Sequence, residues 1–111
     1  MKRYADRMSV DVVFTTGGTG LGPRDVTPEA THEISEKLVP GLSELMRVEG
    51  FKKTRRAALS RGISGLRRKT LIINLPGSSR GVKESIEAVL EIIPHAVETI
   101  RGAGHQKEGH Q

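Results

Sequence analysis

Three segments rich in glycine and hydroxyl residues hold the groups that could do chemistry. The longest, Thr15–Asp25, reads TTGGTGLGPRD. Its glycines allow successive backbone N–H groups to turn toward one anion, and Asp25 suits either a Mg²⁺ ion held against phosphate oxygens or an ordinary Asx turn. It is neither a Walker A loop, because no Gly-Lys-Ser/Thr follows, nor a GxGxxG fingerprint, because Pro23 takes the place of the third glycine. It predicts a phosphate-binding loop, with a purely structural turn as the alternative.

The other two segments are Asn74–Arg80, NLPGSSR, and Ser60–Gly62, SRG. The first leaves an apolar run and opens a predicted helix. Ligands of open α/β sheets bind beyond the carboxyl ends of strands, and a helix N-terminus offers free N–H groups to a phosphate. Its serines add donors, although helix capping alone also explains them. The segment Ser60–Gly62 places a basic residue between a hydroxyl residue and a glycine. This combination of residue types suits a contact with the same anion.

Two apolar runs are predicted to form the strands that position these segments. Residues 10–16, VDVVFTT, and residues 70–75, TLIINL, are rich in β-branched side chains and end at glycine or proline. Short, nearly continuous apolar runs of this kind are typical of strands buried on both faces of a parallel sheet. Alternation of such strands with helices indicates an α/β layer architecture.

Helix signals follow each strand. Thr27 is a predicted N-cap, with proline at the first helical position, and the apolar spacing of four continues to Leu38 before a Pro-Gly pair breaks the helix. A second short helix is predicted over 42–50, and a third begins at a cap formed by Ser78 or Ser79. Residues 1–8 resemble the end of a helix, residues 57–69 favour short extended pieces with a turn, and a last turn or two runs over 95–100.

Composition narrows the class of protein. The 111 residues fit one domain, 35% of them are hydrophobic, and the absence of cysteine excludes disulfides, thiolate zinc sites and cysteine nucleophiles. No apolar run approaches the ~20 residues of a membrane span, and the first ten residues lack the apolar region of a signal peptide. We therefore expect a cytoplasmic protein without a membrane partner.

The positive charge is local. The net charge is +5, yet residues 50–83 contain ten basic residues and no Asp or Glu. Such a field favours an anionic ligand, with a solvated surface as the alternative. Only three aromatic residues are present, which argues against nucleic-acid modules that stack bases on aromatic rings. We expect Arg61 and Arg80 to contact ligand. We expect the following bases to lie on the surface or at the rim of a trimer or partner interface: Lys52, Lys53, Arg55, Arg56, Arg67, Arg68 and Lys69.

The three segments together resemble the signatures of the MoaB/Mog family of molybdenum cofactor biosynthesis proteins. The matching stretches, in order, are TTGGTGLGPRDVTPEAT at 15–31, ALSRG at 58–62 and LIINLPGSSRGVKES at 71–85. The resemblance implies an α/β fold, namely a three-layer α/β sandwich of the molybdopterin-binding type with a mostly parallel sheet. It places this domain at residues 1–101 and implies a homotrimer. Residues 102–111 are rich in glycine and histidine and lack large apolar side chains, so we expect them to form a disordered tail.

The resemblance also implies a function and a site. Adenylyltransferases of the family activate molybdopterin with Mg-ATP, giving adenylyl-molybdopterin and pyrophosphate, and a downstream molybdenum-insertion protein is a further expected partner. By resemblance, Asp25 is the catalytic residue and the Mg²⁺ ligand. The residues expected to bind molybdopterin or ATP are Thr16, Gly17, Gly18, Thr19, Gly20, Ser60, Arg61, Asn74, Pro76, Gly77 and Ser78.

The sequence departs from the family pattern at its N-terminus. Family members have a first strand with a Ser-Asp loop, a helix and a second strand before this point, so we expect an N-terminally truncated domain. A nucleotidyltransferase is then expected only when that part is supplied. The alternative is a non-catalytic pterin-binding or oligomerising module, and a nucleic-acid-binding domain, favoured by the basic block alone, is a distant third.

Overall fold

The structure, a computed structural model, describes residues 1–102, so the predicted tail from residue 103 onward lies outside the described residues. Helices and strands alternate along this part of the chain, in agreement with the predicted α/β class. In order, they are α1 (Lys2–Asp6), β1 (Val12–Thr16), α2 (Thr27–Ile34), β2 (Lys37–Leu38), α3 (Pro40–Phe51), a 3-10 helix (Arg55–Leu59), β3 (Ser64–Arg67), β4 (Thr70–Leu75), α4 (Ser79–Val89) and α5 (Ile93–Arg101).

The strands form one mixed sheet in the order β1-β4-β3-β2. β1 and β4 are parallel, with Phe14 opposite Ile73, whereas β4 with β3 and β3 with β2 are antiparallel. The expected mostly parallel sheet is therefore wrong for the described residues, which contain one parallel pairing. The physical reason is the tight turn at Arg68 (φ 53°), which returns the chain from β3 directly into β4.

The two predicted strands differ in burial. Every residue of β4 is buried, as predicted. β1 has one neighbour within residues 1–102 and is only partly covered, with Phe14 39% exposed, so the prediction that it is buried on both faces is wrong. Both strands nevertheless end at the same edge of the sheet because they are parallel. Their following loops are thereby brought together.

Helices pack on both faces of the sheet. Leu71, Ile73 and Leu75 point to one face, where they join the core with side chains of α3, α4 and α5. Ser43 of α3 and Ser64 of β3 share a buried hydrogen bond of 2.7 Å on that face. Asn74 points to the opposite face, where it reaches α2. None of the helices within residues 1–102 is long and apolar enough to cross a membrane.

Helix α2 is shorter than its apolar spacing predicts. Val26, not Thr27, occupies the N-cap, and the helix ends at Ile34. Leu38 lies in β2 and is exposed, because the Glu36 N–H turns to the Leu66 carbonyl of β3 at 2.8 Å. Strand pairing here overrides helical periodicity, and the Pro-Gly pair expected to break this helix begins α3 instead.

Most other local predictions are confirmed. The Ser78 Oγ accepts a hydrogen bond from Gly81 N at 3.1 Å and caps α4. Within residues 57–69, predicted as extended pieces with a turn, the strand β3 and the turn at Arg68 agree with the prediction, whereas residues 57–59 end the 3-10 helix and do not. Residues 2–6 are helical, and α5 begins at Ile93, with proline in its first turn.

Helix α1 is held to the sheet by one carboxylate. Asp6 accepts two hydrogen bonds from the guanidinium of Arg67 on β3, at 2.7 and 2.8 Å, and Arg68 adds an ion pair at 3.1 Å. Arg67 also donates to the Ile34 carbonyl of α2 at 3.0 Å. The hydrogen bond from Arg67 lowers the pKa of Asp6 below its ordinary value of 3.8. The pair therefore joins α1, α2 and β3.

This carboxylate predicts a pH-dependent contribution to stability. A lowered folded-state pKa stabilises the fold fully above the ordinary pKa, and the stabilisation disappears as pH falls through the folded value. We expect Asp6→Asn to unfold more easily than the wild type at pH 7, with a difference that is constant well above the ordinary pKa of 3.8 and shrinks as pH falls through the lowered folded-state pKa. Urea unfolding at a series of pH values measures it. Glu98→Gln, an exposed carboxylate on α5, is the control, and a pH-independent difference for Asp6→Asn would contradict the prediction.

Candidate functional site

A cavity of about 570 Å³ opens at the carboxyl ends of β1 and β4. Its walls come from the glycine-rich loop after β1, the loop after β4 with the first turns of α4, one face of α3, and the segment from Thr54 to Gly62. The predicted site residues that line it are Gly18, Thr19, Gly20, Asp25, Ser60, Asn74, Pro76, Gly77 and Ser78. The structure therefore brings all three predicted segments to one cavity, although the residues are separated by up to 60 positions.

The loops that follow β1 and β4 meet at two glycines. Gly17 N–H donates to the Leu75 carbonyl at 3.0 Å, and a Cβ added to Gly77 would lie 3.5 Å from the Gly17 Cα. Gly17 (φ 85°) and Gly18 (φ 71°) both have left-handed backbone conformations. Only glycine adopts these without strain, so the loop turns sharply enough to place the next residues on the cavity wall.

The glycine-rich loop turns its carbonyl groups away from the cavity. The Gly18 carbonyl accepts the Thr27 N–H of α2 at 3.1 Å, and the Thr19 carbonyl accepts the Arg61 N–H at 2.8 Å. In a planar trans peptide, the N–H of the next residue points opposite to the carbonyl. The N–H groups of Thr19 and Gly20 therefore point away from these partners, and within residues 1–102 neither donates a hydrogen bond to the protein. They form a concave pair of donors suited to an anion.

Asp25 closes the same loop. Its Oδ2 accepts the Gly22 N–H at 2.9 Å, and its own N–H donates to the Gly22 carbonyl at 3.0 Å, so Gly22 and Asp25 close a turn by reciprocal hydrogen bonds. The Asx turn expected as the alternative is not formed, because the N–H two residues on, that of Thr27, donates to the Gly18 carbonyl. The carboxylate also lies on the cavity wall. No cluster of three potential ligands occurs among residues 1–102. A single carboxylate still fits Mg²⁺, which takes one or two protein carboxylates together with phosphate oxygens and water.

Asn74 is buried and has protein partners for its whole side chain. Its Nδ2 donates to Thr15 Oγ1 of β1 and to Thr31 Oγ1 of α2, both at 2.9 Å. Its Oδ1 accepts the Ile63 N–H at 3.1 Å. Asn74 thus lines the cavity and at the same time ties four parts of the chain together behind it.

Three predicted site residues lie off the cavity wall. Thr16 is exposed at the end of β1, and Gly17 supports the loop without lining the cavity. Arg61 lies in a separate cleft with Pro28, Glu29, His32 and Ile63. Its guanidinium donates to the carbonyls of Gly20 and Asp25 at 2.8 and 2.5 Å and pairs with Glu29 at 2.6 Å. The hydrogen bond from Arg61 lowers the pKa of Glu29, which keeps this carboxylate ionised.

The cavity contains basic residues that the sequence did not single out. Arg47 of α3 donates to the Gly62 carbonyl at 2.8 Å, and Arg56, expected on the surface, also lines the cavity. Arg80, predicted to contact ligand, also lines the cavity. The spacing of Ser43, Met46, Arg47 and Gly50 on the cavity face of α3 is i, i+3, i+4, i+7, so a helical wheel of α3 contains the signal for Arg47.

Comparison with known proteins defines the family. The family model described as a probable molybdopterin binding domain matches residues 2–95. The chain belongs to this family. Its resemblance to the MoaB/Mog proteins, inferred from the three motifs, is thereby confirmed. The structure of the molybdopterin biosynthesis enzyme MoaB from Thermus thermophilus superposes with a TM-score of 0.85 and 56% identity, covering 91% of this chain and 64% of that chain.

Two curated relatives of this molybdopterin-binding domain differ in their own length. Molybdopterin adenylyltransferase of Helicobacter pylori is 47% identical over 90% of this chain and 57% of the relative. The molybdenum cofactor synthesis protein cinnamon of Drosophila melanogaster is 49% identical over 90% of this chain and 17% of the relative. The chain thus spans little more than half of the bacterial enzyme and a sixth of the insect protein.

The left-handed loop predicts a strong effect of Gly18→Ala. The added Cβ would overlap Thr27 Oγ1 and would sit on a residue with positive φ. We expect a loss of at least about 2 kcal/mol in the free energy of unfolding. Gly41 of α3 is the matched control, because a Cβ there meets open space, and we expect Gly41→Ala to leave stability unchanged or raise it by up to about 1 kcal/mol. Chemical denaturation measures both; equal values for the two variants would refute the loop geometry.

Asn74 predicts a second, distinct loss. Asn74→Ala removes three hydrogen bonds, those to the Ile63 N–H and to the hydroxyls of Thr15 and Thr31, so we expect the free energy of unfolding to fall by about 3 kcal/mol. Ser85→Ala removes a hydroxyl from another buried residue of the same cavity wall, one whose hydroxyl makes no hydrogen bond within residues 1–102, and we expect it to cost under about 0.5 kcal/mol. Urea unfolding measures the loss in free energy of unfolding for both variants. A loss for Asn74→Ala as small as that for Ser85→Ala would contradict the role given to the Asn74 hydrogen bonds.

Proposed function

We propose that this domain binds molybdopterin and ATP in the cavity at the ends of β1 and β4 and takes part in adenylyl transfer between them. The observation that carries the proposal is the convergence of two strand-end loops, a capped helix N-terminus and three arginines on one cavity. Its support from relatives is the 47% identity with molybdopterin adenylyltransferase of Helicobacter pylori. Because the chain spans 57% of that relative, the complete reaction is proposed for the domain together with the remainder of such a protein.

The cavity offers two sets of N–H groups that can donate hydrogen bonds to a phosphate. The N–H groups of Thr19 and Gly20 form the first set, and they point away from Thr27 and Arg61, which bond the loop carbonyls. The first turn of α4, after the Ser78 cap, provides the second set. A helix N-terminus carries partial positive charge and unpaired N–H groups, which favour a phosphate. Two anionic groups at neighbouring sites are what a reaction between a pterin phosphate and ATP requires. The geometry thus supports a phosphoryl-type substrate pair more strongly than a single small anion.

The arginines of the cavity supply charge without blocking these donors. Arg47 is fixed by its hydrogen bond to the Gly62 carbonyl, whereas Arg56 and Arg80 are exposed at the cavity wall. Attack of a pterin phosphate oxygen on the α-phosphorus of ATP forms one P–O bond and breaks the bond to pyrophosphate. Negative charge accumulates on the equatorial oxygens, and fixed cations and N–H groups stabilise it.

Asp25 is the residue we propose to hold Mg²⁺. When bound there, the ion would neutralise phosphate charge beside the loop amides. Asp25 Oδ2 is engaged by the Gly22 N–H, which fixes the direction of the carboxylate. The remaining oxygen, Oδ1, accepts no hydrogen bond from residues 1–102. The homotrimer, the molybdenum-insertion partner and the mostly parallel three-layer sandwich of a complete domain stay predictions from the family resemblance.

Asp25→Asn tests the proposal. Asparagine keeps the acceptor for the Gly22 N–H, so the loop stays folded while the charge is lost. We expect the rate of pyrophosphate release with molybdopterin and Mg-ATP to fall at least about 100-fold, while molybdopterin affinity changes by less than about threefold. Steady-state kinetics and calorimetry, on the domain within its complete protein, measure the two quantities.

Glu84→Gln is the matched control. Glu84 lines the same cavity but pairs with Lys53 at 3.9 Å, and we expect its loss to change the rate by less than about threefold. A full rate for Asp25→Asn would refute the role of Asp25. Molybdopterin binding by the wild type without any turnover would refute adenylyl transfer and favour the non-catalytic pterin-binding module.

A further inference from the structure

Arg61 bonds the glycine-rich loop from the side opposite the cavity. Its backbone N–H donates to the Thr19 carbonyl at 2.8 Å, its Nε to the Gly20 carbonyl at 2.8 Å, and its Nη2 to the Asp25 carbonyl at 2.5 Å. One residue thus holds three carbonyl groups across a loop of seven residues. The side chain lies in the small cleft beside α2 and does not line the cavity.

Each of these bonds fixes the direction of a donor on the other side of the loop. A carbonyl and the following N–H point in opposite directions across a planar trans peptide. Holding the Thr19 carbonyl therefore directs the Gly20 N–H away from Arg61, and holding the Gly20 carbonyl directs the Leu21 N–H likewise. Without such bonds, the four glycines between Gly17 and Gly22 would leave the loop with many accessible conformations.

Glu29 completes the arrangement. Its two oxygens lie 2.6 and 3.4 Å from Nη1 and Nη2 of Arg61, so the carboxylate meets the guanidinium edge-on. Glu29 belongs to the first turn of α2, the same helix whose Thr27 N–H holds the Gly18 carbonyl. An exposed ion pair of this kind adds little stability by itself, but a planar guanidinium presents its donors in fixed directions once it is oriented.

We infer that Arg61 and Glu29 are positioning residues, a clamp that orients the loop N–H groups for an anion, and that Arg61 does not itself contact the ligand. The identity of that anion rests on the proposed function, whereas the clamp itself does not. The guanidinium is already occupied by two carbonyl groups and a carboxylate. A ligand phosphate would have to displace Glu29 and cross the loop to reach it.

The clamp and a direct ligand contact predict opposite results for Glu29→Gln. If Arg61 contacts the ligand, removal of the Glu29 charge frees the guanidinium, and the affinity for ATP stays equal or rises. In a clamp, the same change loosens the guanidinium and the loop. We expect the affinity for Mg-ATP to fall about threefold in Glu29→Gln and about tenfold in Arg61→Ala. Arg61→Lys should resemble Arg61→Ala, because an ammonium cannot reproduce the planar fork.

Hydrogen exchange in the ligand-free chain separates this inference from the proposed function. We expect backbone N–H groups of residues 17–25 to exchange about tenfold faster in Arg61→Ala and about threefold faster in Glu29→Gln, with β4 unchanged. Asp11→Asn, which removes the comparable exposed pair with Arg101 at 2.6 Å, is the control and should leave the loop unchanged. Unaltered loop exchange in both Glu29→Gln and Arg61→Ala would overturn the clamp. Faster loop exchange in a chain whose wild type binds no ATP would uphold the clamp and refute the proposed ligand.

Discussion

The side chain of Asn74 is the interaction on which the geometry of the site depends. It lies 2% exposed near the carboxyl end of β4, beside the cavity, and it bonds β1, α2 and the segment that leads into β3. An amide has donors on one side and an acceptor on the other, so one residue can satisfy two hydroxyls and an N–H at once. The two loops are placed by strands that Asn74 locks in register. Its replacement by an apolar residue would remove one hydrogen bond from each of three groups, the Ile63 N–H and the hydroxyls of Thr15 and Thr31.

A second set of hydrogen bonds, made by α2 and Arg61 to the loop carbonyls, orients the loop amides. The carbonyl groups of Gly18, Thr19 and Gly20 are each held by α2 or by Arg61, which fixes the opposite faces of their peptides. No side chain has to point at the ligand for this loop to be selective for an anion. Backbone donors held in advance lose little entropy on binding, and their burial in a concave wall strengthens each interaction. The glycines allow the loop to adopt this conformation, and α2 and Arg61, outside the cavity, restrict the loop to it.

The sequence predicted the parts of the site that are continuous in the chain. β4 could be predicted because a six-residue run with four apolar side chains ends at Pro-Gly, and the α4 cap because Ser78 precedes a periodic helix. The end of α2 could not, because the pairing of Glu36 with Leu66 is a tertiary contact that local periodicity does not contain. The sequence also could not predict where the Arg61 side chain points, since its partner Glu29 lies 32 positions away in the chain. Residue type indicated an anion contact, and only the fold distinguishes a residue that touches the anion from one that orients its donors.

The basic segment between residues 50 and 83 illustrates the same distinction for charge. Its net positive charge is a property of the sequence, but its members have different roles in the fold. Arg67 and Arg68 both pair with Asp6 of α1, and Arg61 pairs with Glu29 of α2 while it bonds the loop carbonyls, so these three bases share two acids that lie outside the segment. Arg56 and Arg80 line the cavity instead. Neither of these two pairs with an acid among residues 1–102, so their charge is available beside the loop amides and the α4 N-terminus, where backbone N–H groups also favour an anion.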